Sequence, residues 1–173
     1  HFKSCQDLWN RCLVKGDIYK KDYKGLYCVG CETFYTEEEL TNGECFEHPG
    51  KKLDEVEEEN YFFSLSKYQD KLIGLIESDE LQVVPQERKN EVLAFLKGGL
   101  QDISISRSNE RAKNWGVPVP NDKKQIMYVW FDALNIYQSG IGFGWDEKKY
   151  KKWWPADIEV IGKGILRFHA VYW

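Results

Sequence analysis

Two short pairs of residues with metal-binding side chains constrain this chain more than any other feature. The first pair is Cys28-Val29-Gly30-Cys31, and thirteen residues later comes Cys45-Phe46-Glu47-His48. Two such pairs, each on a tight turn, can close a tetrahedron of ligands around zinc. Three thiolates and one imidazole leave no open position on the metal, so the pattern predicts structural rather than catalytic zinc. The alternative is that the four side chains are unrelated buried or surface residues.

Gly30 lies inside the first pair, where a residue without a side chain lets the backbone bend toward the metal. The other cysteines, Cys5 and Cys12, bring the total to five, and an odd number argues against a secreted disulfide framework. They lie about 10 Å apart along the axis of a predicted helix, too far for a disulfide bond. We expect both to be small buried residues of the core.

Composition and charge narrow the class of protein. The formal net charge is −4, so any contact with nucleic acid must be local, because general nucleic-acid binders carry a strong basic excess. Aromatic residues make up 15% of the chain, which suits a core and pockets for flat or apolar ligands. The sequence has neither a run of roughly 18 apolar residues nor a signal-peptide pattern, so it predicts no membrane partner. We expect a soluble, monomeric, cytoplasmic protein, with an organelle as the alternative location.

The two ends of the sequence fall at unusual places. Residue 1 is His, and Trp173 closes the chain inside an apolar aromatic run. A natural chain seldom stops within a segment of this kind, which is typical of a buried helix. We therefore expect the sequence to be a piece of a longer protein.

Hydrophobic periodicity predicts the elements of the first two thirds. An amphipathic helix is expected at residues 2–14 and a hairpin at 18–28, with its turn near Gly25. Thr36-Glu37-Glu38-Glu39 resembles a capping box that begins one helical turn. Further along, the pattern predicts a strand at 61–65, helices beginning near Ser66 and Pro85, a strand at 102–107 and an extended segment at 114–122.

The last third is predicted to contain two strand–helix units. Residues 126–130 are predicted to be a strand that runs into a helix. Residues 158–161 are predicted to be a buried strand followed by Gly162-Lys163-Gly164 and an aromatic helix. A strand, a short glycine turn and a helix form the βα unit of a nucleotide-binding sheet. The predicted fold class is therefore α/β: a mixed α+β domain with a zinc knuckle, flanked by partial Rossmann-like βα segments.

Several segments, in this order, resemble the methionyl-tRNA synthetase family of class I aminoacyl-tRNA synthetases. They are YKGLYCVGCETFYTEEEL, EENYFFSLSKY, DISISR with WGVPVP, YVWFDAL and IGKGILRFHAVYW. The ISR, WGxPxP and VWFDA patterns also occur in isoleucyl, valyl and leucyl enzymes, but those carry a large editing insertion for which this chain has no room. The short knuckle and the RFHAVYW segment favour the methionine family.

The resemblance implies a Rossmann catalytic domain interrupted by a connective domain. By position, residues 1–18 would be the final helix of the first Rossmann half. Residues 19–125 would be the connective domain, with its knuckle at about 23–53, and residues 126–173 would begin the second half. The full-length enzymes of the family activate methionine with ATP and Mg²⁺ and then esterify tRNA(Met). These are the implied substrates and partners.

The resemblance also implies which residues bind methionine. Aromatic ring edges attract a thioether sulfur by roughly 0.3–1.5 kcal/mol, and an imidazole or a tyrosine hydroxyl could add a weak polar contact. The alternative is that these side chains only fill a core. The pocket positions are Trp130, Ala133, Tyr137, Ile165, Phe168, His169 and Trp173.

Basic residues give weaker indications. Arg107 and Lys163 are candidates for contact with ATP or tRNA, although a lone basic side chain is more often only solvated. Residues 147–154 mix lysines with aromatic rings and could contact the acceptor end of tRNA. The alternative there is an exposed helical face whose tryptophan rings are tucked against it.

Two departures from the family bear on activity. The family has GKD before its final helix, where this chain has Gly164, so a substrate-site carboxylate is missing. The HIGH-type and KMSKS-type motifs that bind ATP are also absent, so the sequence holds no complete catalytic site and we expect it to be inactive alone. The alternatives are a zinc-ribbon module that binds RNA or protein, and a degenerate synthetase-like protein.

Overall fold

A computed structural model describes residues 1–31, 33–35 and 40–173, so the helical turn predicted at Thr36–Glu39 lies outside the described residues. The chain divides into two compact units, one made of residues 1–19 with 61–173 and the other of residues 20–60. Helices and strands are mixed, as the α/β prediction required. Within the described part of the chain, no helix is long and apolar enough to cross a membrane.

The helices and strands differ widely in length. The helices are α1 (Phe2–Val14), α2 (Gln69–Glu77), α3 (Gln86–Lys97), α4 (Val129–Leu134), α5 (Ile136–Ser139) and α6 (Glu147–Trp153). The strands are β1 (Ile18–Cys28), β2 (Thr33–Tyr35), β3 (Asp54–Phe63), β4 (Ile103–Ser104), β5 (Ser106–Ser108) and β6 (Gln125–Met127). In the described residues, 3-10 turns lie at Leu65–Tyr68 and Lys163–Ile165, and a π-helical turn lies at Phe168–Tyr172.

The first hydrophobic core forms around α1. Cys5 and Trp9 are buried and Phe2 and Leu13 are exposed, whereas Cys12, which we expected to be buried, is only half-buried. The ring of Trp9 meets those of Tyr61 and Phe131 edge-on, with centroids 5.2 and 5.4 Å away. Such edge contacts add to the free energy of apolar burial. The buried members of this core are Cys5, Trp9, Ile18, Ile105, Val117, Val119 and Met127.

A second core lies between α2 and α3. Ile76 of α2 and Val92 and Leu96 of α3 are essentially inaccessible to solvent. Val171 from the π-helical turn joins them, so the C-terminal segment packs against this helix pair. The buried members are Leu65, Ile76, Val92, Leu96, Leu100 and Val171.

The strands form a four-stranded sheet in the order β2-β1-β3-β4 and a separate pair, β5-β6. β1 pairs antiparallel with β2, with Leu26 opposite Tyr35, and β3 pairs antiparallel with β4, with Phe63 opposite Ile103. The hairpin predicted at 18–28 is therefore wrong. β1 is one continuous strand, because β2 and β3 flank it and hold it extended.

The buried strand predicted at residues 158–161 is also wrong. These residues are not in a strand, and Ile158 and Val160 are 82% and 95% exposed. A strand requires a hydrogen-bonding neighbour, and the described part of the chain offers this segment none. The strand predicted at 126–130 is shorter than expected: β6 ends at Met127, and α4 begins at Val129.

Asp102 connects β1 to the 3-10 turn at Leu65–Tyr68 by hydrogen bonds to Tyr19 and Ser66. Its carboxylate accepts hydrogen bonds from the Ser66 amide at 3.1 Å, the Ser66 hydroxyl at 2.6 Å and the Tyr19 hydroxyl at 2.7 Å. Burial alone would raise the pKa of this carboxyl, but the hydrogen bonds from Ser66 and Tyr19 outweigh burial and lower it. The ionised form of Asp102 therefore stabilises the fold.

We expect Asp102→Asn to lower the free energy of unfolding by about 1–2 kcal/mol at pH 7. Because the folded pKa lies below the ordinary value of about 3.9, this contribution is present above that value and is lost as the pH falls through the folded pKa. The difference between the two proteins should shrink as the pH falls below the ordinary carboxyl pKa of about 3.9. Urea unfolding followed by tryptophan fluorescence measures it, since all seven tryptophans lie in the unit of residues 1–19 and 61–173. The exposed Asp157→Asn is the control, and a difference that does not change with pH would contradict the assignment.

Candidate metal centre and aromatic cluster

The predicted ligands Cys28, Cys31, Cys45 and His48 meet at one point in the unit of residues 20–60. Their ligand atoms all lie within 4.8 Å of one another. The Nδ1 atom of His48 is 3.8, 3.1 and 4.0 Å from the sulfur atoms of Cys28, Cys31 and Cys45. The sulfur atoms of Cys31 and Cys45 are 3.2 Å apart. The sequence pattern thus predicted which side chains come together.

This geometry fits a metal ion. In a tetrahedral site with metal–sulfur bonds of about 2.3 Å and metal–nitrogen bonds of about 2.0–2.1 Å, two sulfur atoms lie about 3.8 Å apart, and a sulfur and a nitrogen atom lie about 3.6 Å apart. The observed separations scatter around this value. Three sulfur atoms and one ring nitrogen atom are a donor set that soft or borderline divalent metals prefer. The cluster could therefore hold a metal ion.

The thiols share protons in a way that favours metal binding. Burial would raise the pKa of the Cys45 thiol, but its hydrogen bonds with Tyr35, Cys31 and His48 outweigh burial and lower the pKa to about 6. The pKa of the Cys31 thiol is raised, because burial and its hydrogen bond to Cys45 both favour the protonated form. One thiolate is thus available near neutral pH, and metals bind the thiolate rather than the thiol.

Gly30 has a role that the sequence did not reveal. A Cβ atom at this position would lie 2.6 Å from Cδ2 and Nε2 of the His48 imidazole. Such a separation is shorter than van der Waals contact allows, so the ring could keep its place only beside glycine. Gly30 therefore leaves room for the imidazole, whereas the sequence had suggested that it only helps the backbone bend.

The aromatic residues of the predicted methionine pocket form two groups in the other unit. Trp130 on α4 stacks on Phe168, with centroids 4.0 Å apart and planes 15° apart. Tyr137 on α5 contacts the rings of both His169 and Trp173, at 5.6 and 5.1 Å. α4 lies against the π-helical turn that carries Phe168 and His169.

Hydrogen bonds determine which nitrogen atom of the His169 imidazole carries the proton when the ring is neutral. Its Nδ1 is 2.9 Å from the carbonyl oxygen of Ile165, which can only accept, so Nδ1 carries a proton. In the neutral ring Nε2 then accepts from the Tyr137 hydroxyl at 2.9 Å. Ile165 and Ala133, each four positions before one of these two residues, are half-buried. The role of all seven residues in binding methionine stays a prediction.

The two candidate basic residues have different surroundings. Arg107 is only 5% exposed, its guanidinium donates to the carbonyl oxygens of Ser104 and Ser106, and it lies over the Tyr128 ring. These contacts account for Arg107 as a residue that stabilises the bend between β4 and β5. Lys163 is exposed, and so is the neighbouring Gly164.

Two aromatic residues contact these sites in ways that the sequence did not predict: Tyr35, and Trp154, which was expected only as part of the segment 147–154. The Tyr35 hydroxyl lies 3.3 Å from the Cys31 sulfur atom and 3.4 Å from that of Cys45. Trp154 meets Trp173 edge-on at 5.5 Å and stacks on Tyr150. No periodicity marks either residue, although Tyr35 follows the CxxC pair by only four positions.

We expect Gly30→Ala to weaken metal binding by about 10- to 100-fold, because the added methyl group displaces the His48 imidazole. The loss of a group that orients a metal ligand has an effect of this size. Competition with a chelator would measure the affinity. Gly74→Ala is the matched control, because a Cβ atom there meets nothing within 4 Å. An unchanged affinity of the Gly30→Ala protein would show that the imidazole is not held where the structure places it.

The whole chain is similar to proteins of one family. The family model described as tRNA synthetases class I (M) matches residues 1–55 and 48–173. The methionine–tRNA ligase of Clostridium perfringens is 47% identical over 175 residues, which cover 100% of this chain and 26% of that protein. That of Thermotoga maritima is also 47% identical, with coverage of 100% and 28%.

Solved structures give the same result. The methionyl-tRNA synthetase of Mycobacterium tuberculosis bound by methionyl-adenylate is 42% identical, with a TM-score of 0.89, over 100% of this chain and 34% of that one. Its free-state structure gives 43% identity and a TM-score of 0.90. The chain thus spans about a quarter to a third of the length of the relatives it matches. On this evidence the chain belongs to the methionyl-tRNA synthetase family, the class I (M) tRNA synthetases.

Proposed function

We propose that this chain is a segment of a methionine–tRNA ligase and acts as part of that longer enzyme. The observation that carries the proposal is the match of the whole chain, at a TM-score of 0.89, to a synthetase bound by methionyl-adenylate. The longer enzyme would activate methionine with ATP and Mg²⁺ and transfer it to tRNA(Met). Because this reaction serves translation, its proposed location is the cytoplasm or an organelle.

The proposed division of labour follows the family's order. Residues 1–18 would end the first Rossmann half, residues 19–125 would form the connective domain, and residues 126–173 would begin the second half. The compact unit of residues 20–60 contains the knuckle expected at about 23–53. Zinc is the proposed metal, because three thiolates and one imidazole in a closed tetrahedron suit a structural zinc ion.

The aromatic cluster supports a role in binding methionine. Trp130 and Phe168 offer apolar ring surface, and sulfur makes favourable contacts with ring edges. The Tyr137 hydroxyl lies 2.9 Å from Nε2 of His169, so the two rings form one surface. A polarisable thioether can lie against such a surface and contact the ring edges.

Protein that is purified without exposure to a chelator should contain about one zinc ion per chain. Closed sites of this type are often worth about 10–16 kcal/mol of apparent binding free energy in small zinc peptides. Elemental analysis measures the stoichiometry. Cys45→Ser should lower it, and Cys12→Ala, outside the ligand set, should not. A zinc content near zero in the unaltered protein would refute the proposed site.

Gly164 tests the link to activation of methionine. A carboxylate at the start of a turn that faces a ligand can accept a hydrogen bond or hold a cationic group, and glycine can do neither. The backbone does not require glycine here, because a Cβ atom at residue 164 meets nothing within 4 Å and the conformation is not left-handed. Aspartate should therefore fit without disturbing the fold.

In the longer enzyme, we expect Gly164→Asp to speed methionine activation by roughly ten- to a hundredfold, which corresponds to one charge-assisted contact of about 1.5–3 kcal/mol. Methionine-dependent pyrophosphate exchange at saturating ATP measures the rate. Gly162→Asp is the matched control, since a Cβ atom there is also free of contacts, and no gain is expected. Equal rates for the unaltered enzyme and the Gly164→Asp variant would make the missing carboxylate a neutral difference. The 173-residue chain alone should show no exchange.

A further inference from the structure

Tyr35 lies against two of the four proposed metal ligands. Its hydroxyl oxygen is 3.3 Å from the Cys31 sulfur atom and 3.4 Å from the Cys45 sulfur atom. Hydrogen bonds to sulfur are longer than those to oxygen, so both separations are within bonding range. In the metal-free form the hydroxyl donates to Cys31 and accepts from the Cys45 thiol, but a metal-bound Cys45 thiolate has no proton and can only accept. The side chain is half-buried, and its ring packs in the same cluster as Leu26 and Leu53.

Strand pairing explains how the hydroxyl reaches the sulfur atoms. Tyr35 lies opposite Leu26 in the antiparallel pair of β1 and β2. Leu26 and Cys28 are two positions apart on β1, so their side chains are on the same face. Residues directly opposite in such a pair share a face as well. Tyr35 therefore points to the side of the sheet on which Cys28 and the other ligands lie.

The charge of the site explains what a hydroxyl can do there. Three thiolates and a neutral imidazole around a divalent ion carry a net charge of −1. The side chains of Cys28 and Cys45 are almost fully buried, so water stabilises this charge poorly. A neutral O–H group that donates to thiolate sulfur lowers the free energy of the charged cluster without adding a charge of its own.

We propose that Tyr35 is a positioning residue of the metal centre, whose hydroxyl donates a hydrogen bond shared by the Cys31 and Cys45 thiolates. The bond spreads the excess negative charge and restrains the two sulfur atoms relative to each other. This inference rests on the proposed function of the four ligands as a zinc site. Groups outside the ligand set that orient ligands often account for 10- to 100-fold in metal affinity.

A packing role for the ring is the competing explanation, and Tyr35→Phe separates the two. The variant keeps the ring among Leu26 and Leu53 and removes only the hydroxyl. Tyr19→Phe is the matched control, because it removes a hydroxyl that is hydrogen-bonded to Asp102, in the other unit of the chain. Both variants are made in the 173-residue chain.

Two measurements are made on each protein. Chelator competition gives the zinc affinity, which should fall about 10- to 100-fold in Tyr35→Phe and stay unchanged in Tyr19→Phe. Replacement of zinc by cobalt(II) gives a sulfur-to-cobalt charge-transfer band. That band should move to lower energy in Tyr35→Phe, because a thiolate that loses a hydrogen bond gives up its electron more easily. A purely structural loss would not move the band.

The outcomes are distinct. If the unaltered chain binds no zinc, the proposed site and this inference both fail. If it binds zinc and Tyr35→Phe shows the same affinity and the same cobalt spectrum, only the inference about Tyr35 is overturned. If Tyr35→Phe does not fold, 3-fluorotyrosine placed at position 35 provides a more acidic hydroxyl of nearly the same shape. Its charge-transfer band should move to higher energy, and an unmoved band would overturn the inference.

Discussion

The unit of residues 20–60 is organised around three sulfur atoms and one ring nitrogen atom that could hold a metal ion. Among the described residues, the hydrophobic cluster of this unit has three buried members, and two of them, Cys28 and Cys45, belong to the proposed ligand set. A small cluster offsets only part of the conformational entropy that folding costs. A bound metal would add to the stability of this unit, because a site that is absent in the unfolded chain adds its binding free energy to folding. The other unit has two hydrophobic cores of its own and contains none of the four proposed ligands.

The aromatic cluster is built on a different principle. Its members come from α4, α5 and the last turns of the chain, and each ring is held by another ring or by one hydrogen bond. The Ile165 carbonyl oxygen determines which nitrogen of His169 carries the proton, and this determines the direction of the Tyr137 hydroxyl. The Ile165 carbonyl group thus determines which ring nitrogen of a neutral His169 can accept a hydrogen bond. Selection among amino acids at such a surface would depend on polarisability and shape more than on charge.

The sequence predicts this molecule well where the evidence is local. The spacing of Cys28, Cys31, Cys45 and His48 was enough to predict the ligand cluster, because each pair lies within one turn. β1 was mistaken for a hairpin, because its extension depends on β2 and β3, which are distant in sequence. The exposed segment 158–161 was predicted to be a buried strand for the same reason: its composition favours a strand, but composition does not provide a neighbour. Tyr35 was missed because only the register of β1 and β2 places its hydroxyl beside sulfur.

The close approach of Gly30 to the His48 ring has a consequence for how knuckles of this kind vary. A Cβ atom at position 30 would overlap the imidazole, but the smaller side chain of a cysteine at position 48 would leave that space empty. The two positions should therefore covary among relatives. Glycine should accompany histidine as the fourth ligand, whereas a cysteine there should release position 30 to carry any side chain, including a long charged one. The identity of the residue at position 30 would then reveal which fourth ligand a knuckle uses.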